Sequence, residues 1–341
     1  MHHIIYYYPE GHQAHFEYGH PERPERVETI RRALIEAGLW ETGLHADPVD
    51  IDEDVIDAVH HPAYLGMLQD ACRQGRHLDI DTYTTPKSWE LALNAAGGSI
   101  TVADSVWKGI ARRGFALSRP PGHHATRERG MGFCLLNNVA LAAEHLIAKS
   151  GAHRLAIIDT DLHHGNGTQD IFWERGDIFY ISTHQHPLYP GTGSLDEIGA
   201  GAGEGMTANF PLPPGSGDLA FDTLFDELIL PLLDRFQPEM ILVSFGFDPH
   251  WRDPLGHLQL SAGGYGNQIT KLAKWADRKC QGRISLFLEG GYDLDAAAVC
   301  SVAVASALLN MEWSDPIGPS PRPEGSSWQI IASRARKIWG L

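Results

Sequence analysis

The sequence predicts an α/β fold, a mostly parallel central sheet with helices on both of its faces. Short runs of β-branched and aromatic residues alternate with longer stretches of helical period, the pattern of such a layered sheet. Several of the runs are apolar on both faces, as strands covered on both sides should be. Stretches dense in glycine and proline at 199–205 and 211–217 lie between segments that belong together. They read as surface loops, and 1–341 reads as a single domain.

The first strand spans 4–8. A helix over 24–39 follows: Pro24 and acidic residues open it, Val27, Ile30 and Leu34 share one face, and Gly38 marks its stop. Strand 115–118 leads to a helix over 137–149, and strands at 155–158 and 178–182 come next. A helix over 219–236 stops short of Pro238, and strands 240–245 and 284–288 complete the set. The uncharged run 296–311 is shorter than the ~20 apolar residues that cross a bilayer and contains Ser301, Ser306 and Asn310, so it reads as a core helix. The end of the chain, 315–341, divides into an extended connector, PIGPSPRPEGSS, and a short basic amphipathic helix, WQIIASRARKIWGL, docked on the domain.

Lysine and arginine total 27 against 43 aspartates and glutamates, a net charge of −16 that disfavours a grip on nucleic acid or an anionic membrane and suits cationic partners. The four cysteines are scattered with no CxxC pair, so neither a disulfide framework nor a thiolate zinc site is indicated. The opening MHHIIYYYPEGH turns polar too soon for a signal peptide, and a reducing, cytoplasmic setting is expected.

The chemistry gathers after the strands. Strand 115–118 runs into RPPGHHA, 155–158 into DTDLHHGNG, 178–182 into THQH, 240–245 into GFDPH and 284–288 into EGGYDL. Ligands bind outside the carboxyl ends of parallel strands, so these segments point to one cleft. Asp161 and His163, two apart in an extended segment, put a carboxylate and an imidazole on the same side of the chain. Asp248, from another strand end, completes an Asp, His, Asp set with a position open for water and substrate. One Asp-x-His is weak evidence; three strand-end ligands together favour a metal. His123 and His124 follow the stiff turn Pro120-Pro121-Gly122, and a neutral imidazole suits the base that a metal-bound water needs. Asp159 and Asn166 can each hold one histidine's other ring nitrogen. Tyr292, after Gly290-Gly291, can donate a hydrogen bond to a carbonyl oxygen that becomes an oxyanion, although a tyrosine after a strand more often packs.

The segments GHPERPERV (19–27), RPPGHHA (119–125), GFCLLNN (132–138), DTDLHHGNGTQDIF (159–172), YPGTG (189–193), GFDPHWRDPLG (246–256) and EGGYDL (289–294) span nearly the whole chain. In content and order they resemble the histone deacetylase superfamily, in its class II-like and bacterial branch, related to acetylpolyamine amidohydrolases and having an arginase/deacetylase-like α/β fold. The resemblance implies Asp161, His163 and Asp248 as zinc ligands, with Fe2+ or Mn2+ as alternatives in the cell. It implies His124 as general base and acid, His123 as its electrostatic partner, Asp159 and Asn166 as their orienting groups, and Tyr292 as carbonyl polariser. Gly132, Phe133 and Tyr189 resemble the walls of a narrow acyl-lysine tunnel, where Tyr189 and Met131 stand to tune acyl length. Arg26 resembles the arginine beside an acetate exit channel. A K+ ion is implied on the carbonyls of Asp159, Asp161, His163 and Thr183 with the hydroxyl of Ser182. Asn166 stands where the superfamily commonly has aspartate, which should make His124 less basic.

The implied reaction is hydrolysis of an acyl amide on the ε-amine of lysine in a peptide or protein by metal-activated water. An acetylated polyamine is the alternative substrate; it would use the same residues and suits the net charge equally well. A non-catalytic acyl-lysine binding module is the reading from another class, and the presence of both His124 and Tyr292 speaks against it.

Overall fold

The structure, a computed structural model, describes residues 2–341. Its elements in chain order are β1 (His2–Tyr7), α1 (Glu25–Glu36), β2 (Leu44–Ala46), α2 (Glu53–Val59), α3 (Pro62–Gln74), α4 (Ser88–Trp107), β3 (Ala111–Ala116), α5 (Asn138–Ser150), β4 (Leu155–Asp159), α6 (Asn166–Phe172), β5 (Ile178–Gln185), β6 (Thr207–Leu212), α7 (Asp218–Leu224), α8 (Leu230–Phe236), β7 (Met240–Phe245), α9 (Ala262–Lys279), β8 (Ile284–Leu288), α10 (Leu294–Leu309) and α11 (Trp328–Trp339). The strands form one eight-stranded sheet in the order β2-β1-β3-β8-β7-β4-β5-β6, with every pairing parallel. The fold is α/β, as the alternating pattern predicts.

Strand alternation divides the core into two layers. Ile4, Tyr6, Phe115, Ile158, Ile241 and Val243 pack with residues of α1, α9 and α10 on one face, while Ile5, Tyr7, Ile157, Met240 and Leu242 pack with α4 and α5 on the other. The strands whose ends carry the polar motifs, β3, β8, β7, β4 and β5, are consecutive in the sheet, so their carboxyl ends make one row.

Several sequence expectations need correction. The strand expected at 115–118 is β3 at Ala111–Ala116. Arg112 and Arg113 hid its start, because Arg113 lies buried in the sheet with its guanidinium 2.7 Å from Asp277. Two strands went unread: β2 is only three residues long, and β6 contains Pro211, which a strand tolerates at a sheet edge. The helix expected over 219–236 is α7 and α8 joined by a π-turn at Phe225–Ile229. Pro231 explains the wider turn, since it has no N–H and its ring crowds the carbonyl four residues back.

The C-terminal connector is tied down by Glu324, whose carboxylate accepts from the amides of Leu219 (2.9 Å) and Ala220 (2.8 Å) at the start of α7. Helix α11 then buries Trp328, Ala332 and Ala335, packs against β6 and α7, and sets Trp339 6.1 Å from the ring of Phe179. No helix among the described residues is long and apolar enough to cross a membrane. Trp328→Ala should lower stability by about 3 kcal/mol, as large-to-small core changes do, whereas Ile330→Ala at a 65% exposed position should stay within about 0.5 kcal/mol. Denaturant midpoints check this; equal effects would mean that α11 is not docked.

Candidate active site

At the end of β4 the chain bends through 161–163 instead of running extended, so strand alternation is not what orients Asp161 and His163. The bend still brings both side chains to Asp248, which follows the neighbouring strand β7. His163 Nδ1 lies 3.2 Å from Asp161 Oδ1 and 3.3 Å from Asp248 Oδ2, and one donor atom from each of the three lies within 4.8 Å of the others. Backbone amides fix the carboxylates: Asp161 Oδ1 accepts from His163 N (2.8 Å), Asp161 Oδ2 from Gly290 N (2.8 Å) and Asp248 Oδ1 from Leu162 N (3.2 Å). Such close approach needs glycine at 246 and 290, where a Cβ would collide with the oxygens of both aspartates.

Two carboxylates this close and this dry repel each other. Burial and the charge of Asp161 push the Asp248 carboxyl up, while His123 and His163 overcome burial and hold Asp161 well down. Burial also works against a charge on His163, but the neighbouring Asp161 and Asp248 carboxylates raise it to about 9. Asp248 Oδ2 is buried without a hydrogen-bond partner. An unpartnered carboxylate oxygen, a second carboxylate and an imidazole facing one point fit a divalent cation of the zinc type.

The histidine pair lies beside this cluster with ring centroids 4.0 Å apart. His123 Nδ1 is 3.0 Å from Asp159 Oδ2, and His124 Nδ1 is 2.8 Å from Asn166 Oδ1. Burial opposes a charge on His123, yet Asp159 and Asp161 raise it to about 10. For His124 burial and the charges of His123 and His163 act together and push it well down, so this imidazole is neutral. Sequence reasoning missed Glu289, which holds the whole turn. Its Oε2 accepts from Gly122 N (2.7 Å) and His123 N (3.1 Å), and its Oε1 from the Ser244 hydroxyl (2.9 Å). The available signal was a carboxylate directly ending the mostly apolar run ISLFLE.

Tyr292 enters from the β8–α10 loop. Its backbone N–H donates to Asp253 Oδ2 (2.7 Å), its ring stands edge-on to Phe133 at 5.9 Å, and its hydroxyl has no partner among the described residues. Burial, against the pull of Arg26, pushes the phenol well up and keeps it a donor. Together with Asp81, Pro121, His123, His124, Gly132, Phe133, Cys134, His163, Leu188, Tyr189, Leu255 and Gly290, Tyr292 lines a cavity of about 260 Å3. Gly132 has φ +55° and Phe133 φ +70°, and a Cβ at 132 would press on the His124 and Tyr189 rings. Asp81 and Leu255 are lining residues that the sequence reading did not name.

Arg26 does not line the cavity. It is 1% exposed beneath the Tyr292 ring, 4.8 Å from its centroid, and donates to the carbonyls of Gly291 (2.7 Å) and Glu289 (2.5 Å). Glu22 pairs with it (3.1 Å) and with Arg119 (2.8 Å), which also donates to the carbonyls of His12 and His15. Ser182 lies beside Asp159 in the β4–β5 register and its hydroxyl is 2.9 Å from His184 Nδ1, while the neighbouring Thr183 hydroxyl is buried without a partner.

Compared with known proteins, the chain matches the histone deacetylase domain over residues 20–308. It is 42% identical over 299 residues to a probable deacetylase of Archaeoglobus fulgidus, covering 86% of this chain and 83% of that protein. It is 38% identical over 295 residues to a histone deacetylase-like amidohydrolase of Pseudomonas aeruginosa, covering 85% and 77%. The crystal structure of the HDA15 HD domain resembles it with a TM-score of 0.90 at 33% identity, over 99% of this chain and 95% of that one.

The buried ion-pair hub makes a pH-dependent prediction. Burial works against the charge of Glu22, but Arg119 and Arg26 outweigh it and hold the carboxyl down to about 2. A depressed folded-state pKa contributes stability above the unfolded value near 4.5 and loses it as pH falls towards 2. Glu22→Gln should therefore cost about 3 kcal/mol at neutral pH, where two buried guanidiniums lose their counter-charge. The gap to the unsubstituted protein should shrink through that acid window. Unfolding free energies across pH test this, and a gap that stayed constant into strong acid would contradict it.

Proposed function

The chain belongs to the histone deacetylase family and is a hydrolase of amide bonds, and from that premise we propose that it removes acetyl or other acyl groups from the ε-amine of lysine in peptides or proteins. The observation that carries this reading is one cavity lined by His124, His163 and Tyr292, with Asp161 and Asp248 each within 4.8 Å of the His163 donor atom. A slot of about 260 Å3 walled by Phe133, Tyr189, Leu188 and Leu255 suits an apolar acyl-lysine side chain, and Asp81 suits the polar groups beside it. In this reading Arg26 shapes the slot by holding the Tyr292 loop and not by touching substrate.

Asp161, His163 and Asp248 would hold zinc, with Fe2+ or Mn2+ as alternatives. When bound there, the ion supplies Lewis acidity and a water of lowered pKa. The chain's own groups do the rest. His124 keeps its proton on Nδ1 against Asn166, which leaves Nε2 free to take a proton from the attacking water and later give it to the departing amine. His123, held by Asp159, places positive charge beside the forming oxyanion. The Tyr292 hydroxyl donates to that oxygen. We also assign K+ to the carbonyls of Asp159, Asp161, His163 and Thr183 with the Ser182 hydroxyl, a reading supported by the β4–β5 register that sets Asp159 beside Ser182. The segment 315–341 belongs to the same single domain in this account.

Tyr292→Phe should lower kcat by about 100-fold or more, the usual cost of one oxyanion donor, while bound metal, read by elemental analysis, stays at the level of the unsubstituted protein. Asp248→Ala should lose both metal and activity. Hydrolysis that survives exhaustive chelation would end the metal reading. Rates on acetyl-lysine peptides against acetylspermidine separate the two substrate classes, and faster acetylspermidine turnover would favour the polyamine.

A further inference from the structure

The side-chain amide of Asn166 can face His124 in two ways. With Oδ1 towards His124 Nδ1, that nitrogen carries a proton and Nε2 keeps its lone pair. Turned by half a rotation, the amide nitrogen becomes the donor, Nδ1 must accept, and the proton sits on Nε2. A histidine in that second form cannot act as a base towards the cavity. The structure holds the first arrangement: Oδ1 lies 2.8 Å from His124 Nδ1, and Nδ2 donates to the thioether sulfur of Met131 at 3.5 Å. Among the described residues the Asn166 side chain has no other partner.

A thioether can accept a hydrogen bond but never donate one. Met131 therefore satisfies the amide nitrogen and would leave the amide oxygen unmatched if the group turned over. The methionine is itself anchored, since Met131 N donates to Cys134 O (3.1 Å) and Cys134 N to Met131 O (3.0 Å), closing the turn that carries Gly132 and Phe133. We propose that Met131 is a positioning residue that selects the Nδ1–H tautomer of His124 by fixing the orientation of the Asn166 amide. The inference rests on the reading of His124 as the base. An aspartate at 166 would accept through either oxygen and would need no such selector, so the role of Met131 is tied to the asparagine.

Met131→Leu keeps the volume and removes the acceptor. In the metal-loaded enzyme its His124 ring 15N shifts should move towards the Nε2–H form, and kcat on an acetyl-lysine peptide should fall about fivefold, the factor carried by one modest hydrogen bond, with KM unchanged. In an Asn166→Asp background, Met131→Leu should change neither the spectrum nor kcat further. Met131→Ile makes the same comparison should the leucine variant fold poorly. An unaltered His124 spectrum in the apolar variants, or an equal fall in kcat in both backgrounds, overturns the proposal. A shifted spectrum with undiminished kcat leaves Met131 as the selector and instead removes His124 from the role of base.

Discussion

Four carboxylates buried along one row of strand ends are the constraint on which the rest of the molecule depends. Asp159, Asp161, Asp248 and Glu289 are each at most 1% exposed, and a charge so removed from water persists only where donors or counter-charges meet it. Asp159 has His123 and the Tyr180 hydroxyl. Asp161 has backbone amides and His163, and Glu289 has two amides and a hydroxyl. Asp248 has one oxygen matched and one left over. The unmatched oxygen is the one that faces His163, at the point where Asp161 also converges.

Most of those donors are backbone N–H groups of loops, which hold a carboxylate only if the loops themselves are rigid. Glu289 joins the β3 loop to the end of β8, and Arg26 joins α1 to the same end of β8. Glu22 then locks Arg26 to Arg119, at the start of the histidine turn. The β3 and β8 loops and the segment before α1 are thereby bound to one another through buried charges. This is a costly kind of core, because any charge that lost its partner would be left stranded out of water.

The parts of this site legible in the sequence are those whose chemistry is local. A parallel sheet could be inferred from apolar runs, and Asp161, His163, Asp248, the histidine pair and Tyr292 could be gathered because each directly follows a strand. The bend at 161–163 was not legible, since alternation describes a straight strand and nothing nearby signals where one stops. β2 was too short and β6 too interrupted by Pro211 to show a period. Glu22, Arg119 and Glu289 escaped for another reason. Glu22 and Arg119 are 97 residues apart, and a charged side chain reads as exposed until its distant partner is in place.

The clamp of Arg26 on the carbonyls of Glu289 and Gly291 spans 263 and 265 positions of chain. During synthesis the first helix must therefore wait for nearly the whole polypeptide before its guanidinium finds those acceptors. Long-range closure of this kind is slow and comes late. An incomplete chain carries the loop of Asp161 and His163 before Tyr292 exists and before Arg26 has its acceptors.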